Sequence, residues 1–286
     1  MDFETHLSFT SRFFGVPMKI YLVGIGTKGL EQVTLEGLKT LKRAEKILSF
    51  QVRPYDMLAF VDEHDLVDPE FIDDLYQDEA LDNDNYARIL SKVKNDAQDF
   101  STVAVLIQGH PLLGVTISQR LKSMPGVKVE AIAAPSSLDN LFIERWRDPL
   151  ELGSLMIDAN RLLLFNQTLN PEIDTYVYHV CSVGNSATDF TTPWRGNRLE
   201  LLQTQLLKFW PTDHVIEFLH SPSDEKTKLT GALCVCTTTV GEMHTQVREV
   251  HFGMTLLVPG VRPQNFDRSF LQLLRPDLQL GAGKAQ

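Results

Sequence analysis

Cysteine is scarce in this chain. Cys181, Cys234 and Cys236 are the only three among 286 residues. They make no Cys-x-x-Cys pair and stand at no histidine spacing suited to zinc. That argues against a disulfide framework and a structural metal, and for a reducing, cytoplasmic setting. Cys234 and Cys236 alternate onto one face of an expected strand, as small apolar groups. Cationic charge is short as well: 27 Lys and Arg stand against 37 Asp and Glu, a formal net charge of −10. Broad nucleic-acid binding needs a basic face, so nucleic acid is not an expected partner. No apolar run reaches the length of a membrane span. Residues 1–17 lack the cationic start and apolar core of a secretory signal, and read as an N-terminal extension. Residues 277–286, closing on the small and polar Gly281 to Gln286, read as a flexible tail. Internal repeats and low-complexity blocks are also missing. What remains, 43% hydrophobic and 22% charged residues, is ordinary for a globular protein.

The pattern is most pronounced around Gly109-His110-Pro111. An apolar run, Thr102 to Ile107, stops there, and apolar periodicity resumes from Leu112 to Leu121. Strand, tight turn and helix follow, with Pro111 in the helix's first turn. Ligands of open α/β sheets sit outside the carboxyl ends of strands, where glycine permits close backbone approach. An ordinary strand-to-helix connection with a surface histidine gives the same pattern.

Lys19 to Val23 is a second strand candidate, followed by Gly24-Ile25-Gly26-Thr27-Lys28-Gly29. This matches G-x-G-x-x-G, yet the helical pattern starts only near Thr34. The next strand, Lys46 to Phe50, ends without an acid to hold a ribose, so a nicotinamide dinucleotide is not expected. Leu58 to Tyr76 reads as acidic and irregular, Tyr86 to Val93 as a short amphipathic helix, and Val127 to Ala133 as a strand. Ser136 and Asp139 resemble a capping box opening a helix that ends near Asp148-Pro149. Further on, strands are expected over 160–165, 175–183, 214–219, 233–239 and 254–258. Helices are expected over about 198–209 and 266–274. Longer joins there suggest more antiparallel pairing. The expected fold is α/β in two domains: 18–133 with a mainly parallel sheet, and 134–276 with a mixed one.

The order of Gly24-Ile25-Gly26, Gly109-His110-Pro111, Pro135-Ser136-Ser137 and Leu256-Leu257-Val258-Pro259 resembles the tetrapyrrole methylase superfamily of S-adenosylmethionine-dependent enzymes. The resemblance spans roughly residues 18–260. Those enzymes usually carry an acid where this chain has His110. Histidine there, with Ser136 to Phe142, Asp148-Pro149, Gly153, Asp158-Ala159 and Phe165-Asn166, is similar to the borosin-type branch, which methylates peptide backbone amides. The turn also occurs in family domains fused to nucleotide pyrophosphohydrolases. The resemblance implies a homodimer with S-adenosylmethionine between the two domains. It places Gln108, His110, Leu113, Val115, Ser136, Ser137, Ala159, Asn166 and Gln167 at the cofactor, and Gly24 and Gly26 at the substrate cleft.

Its implied catalytic set is altered here. Tyr76 and Tyr86 fall on the family's tyrosines, but Asp82 stands where an arginine is expected and Gln108 where a tyrosine is. Methyl transfer needs methyl, sulfur and nucleophile in line, and an amide acceptor needs partners for its carbonyl and its departing proton. Asp82 could serve as a base towards a more acidic group, or the amide reaction could use other residues. Arg88 lies one turn further along the helix. As plainer alternatives, Tyr76 and Tyr86 are packed aromatics, Asp82 a turn former, and His110 a turn histidine bonded to backbone. His6, His64, His179, His214, His220, His244 and His251 show no metal spacing and read as incidental. The expected function is methylation of a peptide, at a backbone amide of a separate precursor, since the tail is too short to be a fused acceptor. A tetrapyrrole or other small-molecule acceptor, and a degenerate S-adenosylmethionine-binding partner protein, are the alternatives.

Overall fold

The computed structural model describes residues 18–220 and 234–275, apart from Gln51, Arg53 and Glu79. The expected extension 1–17 and tail 277–286 lie outside these residues, as does the Cys234 side chain. Five parallel strands build the first sheet: β1 (Met18–Gly24), β2 (Lys46–Ser49), β3 (Pro69–Phe71), β4 (Thr102–Ile107) and β5 (Val127–Ile132). Their order is β3-β2-β4-β1-β5. Helices cover both faces, which is why β1 and β4 are near-continuous apolar runs. On one face α1 (Leu35–Leu41) and α2 (Pro54–His64) pack Leu41, Met57 and Val61 against Val23, Ala104 and Leu106. On the other, α3 (Asp82–Asp99) and α4 (Thr116–Lys122) pack Ile89, Val93, Ile117 and Leu121 against Ile20, Leu22, Val103 and Val105. Neighbouring β1 and β4 therefore lead to opposite faces, which opens a crevice at their carboxyl ends.

The second half holds α5 (Ser137–Arg145), β6 (Ser154–Asp158), α6 (Ala159–Leu164), β7 (Asp174–Tyr178), α7 (Leu199–Leu206), β8 (Val215–His220), β9 (Cys234–Thr239), β10 (Met254–Val258) and α8 (Arg268–Leu274). The sheet order is β6-β7-β10-β8-β9. Only β6 and β7 pair in parallel, so the sheet is mixed. Ala159, Leu162, Val177, Leu202, Leu206, Phe218 and Leu256 form its main core. No helix among the described residues is long and apolar enough to cross a membrane.

Several elements depart from expectation. Residues 160–164 belong to a helix with Phe165 as its C-cap, and the strand lies just upstream at 154–158; a short apolar run such as Leu162 to Phe165 fits either period. Asp158 decides it by accepting the Arg161 N–H at 2.8 Å as N-cap. The expected strand over 175–183 stops at Tyr178, because His179 turns to φ +56° and a single 3-10 turn follows at Val180–Ser182. The stretch read as irregular contains most of α2 and all of β3. Helix α3 runs 18 residues, its polar start having hidden the period. Pro111 is not helical: Gly114, at φ +70°, delays α4 to Thr116.

Candidate active site

The two glycine turns are fastened to each other at the mouth of the parallel sheet. Ile25 N–H donates to Ile107 O at 3.0 Å and Gly109 N–H to Gly26 O at 2.8 Å. A Cβ on Gly24 would stand 2.8 Å from Gly109 O, 2.9 Å from Pro111 Cδ and 3.0 Å from the Ala134 Cβ. One on Gly26 would meet the Gln32 side chain at 2.3 Å. The space beside both glycines is thus filled by protein. Gln32 Oε1 accepts the Thr27 and Lys28 N–H groups at 2.8 and 3.0 Å. Asn140 of α5 completes the seal: its carbonyl accepts from Gln32 at 3.0 Å and its amide donates to Thr27 Oγ1 at 2.6 Å. The N–H groups a phosphate would need are occupied internally. Open space begins further along the same loop, in a cavity of about 460 Å³ lined by Lys28, Leu30, Leu35, Leu38, Phe60 and Glu63 among others.

The central turn faces the second half. His110 Nδ1 accepts the Leu112 N–H at 3.2 Å, so the ring stabilises its own turn. Leu113 packs with Leu138, Leu141, Phe142, Tyr176 and Tyr178, whereas Val115 turns inward to the first core. Gln108 is half-buried just before the turn. Ser136 is buried and committed to its helix: it accepts the Asp139 N–H at 3.2 Å while Asp139 accepts the Ser136 N–H at 2.7 Å. Ser137 instead reaches across, its Oγ 3.4 Å from the Tyr178 hydroxyl. Burial pushes the Tyr178 phenol up to about 12. Gly114 closes the turn, and a Cβ there would lie 3.4 Å from the His179 imidazole. His179 Nδ1 lies 2.6 Å from Asp158 Oδ2. Burial works to raise the Asp158 pKa, but the bonds from His179 and from Arg161 N–H outweigh it and hold the carboxyl below its usual range.

Leu113, Gly114, Ser137, Tyr178 and His179 thus meet between the halves. Ala159 is wholly buried, within the main core of the second half. Asn166 and Gln167 stand apart, past the far end of α6 and roughly 12 Å along the helix axis from Asp158. Lys208 donates to Asn166 Oδ1 at 3.3 Å, and Gln205 to Gln167 O at 3.1 Å.

Tyr76, Asp82 and Tyr86 form one cluster beside the start of α4. Tyr76 OH donates to Asp82 Oδ1 at 2.8 Å. Thr188, from the loop before α7, gives the same carboxylate its N–H at 2.9 Å and its hydroxyl at 3.1 Å. Asp78 repeats the device, accepting Phe190 N–H at 2.9 Å and Thr191 Oγ1 at 2.7 Å. Both aspartates pin the second half onto the first. Tyr86 bonds Thr116, and the Arg120 guanidinium lies 5.1 Å over its ring. Burial raises both phenols above their ordinary value, followed by the hydrogen bond to Asp82 for Tyr76 and by the Asp82 charge for Tyr86, so they are protonated. Arg88 points elsewhere, donating to Leu75 O at 2.9 Å.

The residues missed from sequence are Asp158, Tyr178 and His179. Asp158 and Tyr178 are register partners on β6 and β7, and His179 follows at once. Placing the strand over 160–165 concealed that juxtaposition.

The two α/β halves define a known architecture, that of the corrin and porphyrin methyltransferases. The chain superposes on uroporphyrin-III C-methyltransferase from Thermus thermophilus with a TM-score of 0.58 at 17% identity, covering 84% of this chain and 97% of that one. For the cobalt precorrin-4 methyltransferase structure the values are 0.55 and 13%, over 85% and 95%. Residues 19–143 match the family model for Tetrapyrrole (Corrin/Porphyrin) Methylases. Among curated proteins, a methyltransferase/type I borosin cyclic peptide precursor of Gymnopilus junonius is 28% identical over 202 residues, 69% of this chain and 47% of that protein. A type III borosin counterpart from Anomoporia bombycina is 27% identical over 209 residues, 71% and 24% respectively. The chain therefore spans less than half the length of either relative.

Proposed function

We propose that the chain is an S-adenosylmethionine-dependent methyltransferase acting on a peptide, with the donor held between the two α/β halves. The observation that carries this reading is the Gly109–Gly114 turn standing opposite Ser137, Tyr178 and His179. Those groups suit a cationic nucleoside. Leu113 and Tyr178 offer apolar walls, Ser137 and His179 offer polar edges, and the Asp158 carboxylate lies behind with negative charge. The donor, when bound, supplies a methyl group on a sulfonium that departs as a neutral thioether. The Tyr76–Asp82–Tyr86 cluster borders this cleft through Thr116. Assembly as a homodimer fits the exposed Trp146, Leu150 and Leu273.

The peptide acceptor is the reading favoured by the borosin relatives, and Asp82 bears on which atom accepts. Its carboxylate is committed to Tyr76 and Thr188, and both phenols stay protonated. An acceptor that ionises more readily than a backbone amide asks less of this site. The same commitment favours one second reading, a donor-binding partner protein without turnover of its own. Incubation of the chain with S-adenosylmethionine and peptides encoded beside its gene, followed by tandem mass spectrometry, tests both. A methylated peptide supports the enzyme; donor binding with no methylated product supports the partner protein; no donor binding defeats both.

A further inference from the structure

One polar pair in the cleft has no role in holding the fold's halves by its outer edge. His179 bonds Asp158 through Nδ1 at 2.6 Å, and no side chain or backbone group among the described residues is hydrogen-bonded to its Nε2. We propose that His179, oriented by Asp158, reads the nucleoside of the methyl donor, with Nε2 accepting a hydrogen bond from an O–H or N–H of that nucleoside. The inference rests on the methyl-donor reading above.

Three features converge on it. Asp158 is fixed on both oxygens: Oδ1 caps α6 through the Arg161 N–H at 2.8 Å, and Oδ2 faces the imidazole. A carboxylate only accepts, so Nδ1 carries the hydrogen, and in the neutral imidazole Nε2 presents a lone pair. The His179 backbone sits at φ +56°, a left-handed conformation that disfavours side chains with a Cβ. Finally, the free edge of the ring abuts Gly114, where a Cβ would be 3.4 Å from both Cε1 and Nε2. The side chain is 38% exposed. It therefore opens to a ligand lying along the central turn. The charged and titratable groups set around it are Asp158 and, beyond it, Arg161; the Tyr178 ring stands 6.5 Å away, edge-on.

The test is calorimetric titration of the full chain with S-adenosylhomocysteine, using wild type, His179→Asn and Asp158→Asn. Asparagine at 179 tolerates the left-handed backbone and can still donate to Asp158, but places nothing at the Nε2 position. Asparagine at 158 keeps the cap oxygen yet presents an N–H to Nδ1, which moves the ring hydrogen to Nε2 and turns the acceptor into a donor. Both variants are expected to bind about tenfold more weakly, and His179→Asn to do so with an unchanged Tm. Nitrogen-15 spectra of the wild-type imidazole give a readout independent of the variants: the Nδ1–H tautomer before ligand, and a shift confined to Nε2 on addition. Wild-type binding with equal affinity in His179→Asn, or an Nε2 resonance that does not move when ligand is bound, overturns this inference alone. No binding by wild type overturns the methyl-donor reading and this inference with it.

Discussion

Tyr76 and Asp82 are joined by a 2.8 Å hydrogen bond in which the phenol donates. Asp82 also takes the N–H and hydroxyl of Thr188, which lies in the other half of the molecule. The aspartate standing where the family resemblance calls for arginine is thus a tie between halves, placed in the first turn of α3 where a helix favours negative charge.

Replacing Asp82 with alanine should lower unfolding free energy by about 1.5–3 kcal/mol, the range for hydrogen bonds to a charged group. Asp82→Asn should cost less and lower the Tyr76 phenol towards its ordinary value, because the carboxylate is one cause of its rise. Urea unfolding and tyrosinate absorbance read the two effects. Unchanged stability with lost turnover would instead make Asp82 a chemical group.

Gly24→Ala should destabilise the chain by roughly 1–3 kcal/mol. The added Cβ meets Gly109 O, Pro111 Cδ and the Ala134 Cβ within 3.0 Å, and none of these is the tip of a flexible side chain. Relief would come by displacing the central turn, so donor affinity should fall alongside Tm. A variant with native Tm and affinity would show that the turn tolerates this movement.

Alkaline stability follows from Tyr178. Its phenol is raised from 10.0 to about 12 by burial. Between those values the folded state holds a proton that the unfolded state has lost, so stability is full below pH 10 and falls as pH rises towards 12. The slope is on the order of 1.4 kcal/mol per pH unit for one such group. Tyr178→Phe should flatten it in denaturant titrations at several alkaline pH values. An unaltered slope would mean that Tyr178 ionises as readily in the fold as out of it.

Gln32→Ala should cost about 1 kcal/mol or slightly more, since the Thr27 and Lys28 N–H groups lose their shared acceptor. It should not create phosphate affinity, because only a single 3-10 turn, Leu30–Gln32, follows the loop and the first α-helix begins at Leu35. Thermal unfolding with and without inorganic phosphate checks this; a phosphate-dependent rise in Tm would contradict it.

Strands β1 and β4 were legible because they are largely buried apolar runs that lead into glycine turns. The Ser136–Asp139 capping box was legible because its chemistry is local. Helix α2 and strand β3 were not: β3 is three half-buried residues at a sheet edge, and acidic residues interrupt the apolar pattern around it. Of the residues expected at the cofactor, Leu113 and Ser137 reach the second half, whereas Val115 turns into the first core and Ser136 caps its own helix. Asn166 was placed there through its resemblance to a family motif, yet α6 carries it to the other end. The Asp158–His179 pair depends on two adjacent parallel strands ending level, a long-range fact that no spacing of 21 residues advertises.

Binding of S-adenosylhomocysteine to the full chain, measured by calorimetry together with the shift in Tm, bears most directly on the methyl-donor cleft. Saturable binding of one ligand per chain, weakened in Gly24→Ala and His179→Asn, is the predicted result. Absence of heat and of any Tm shift at high micromolar ligand would contradict it.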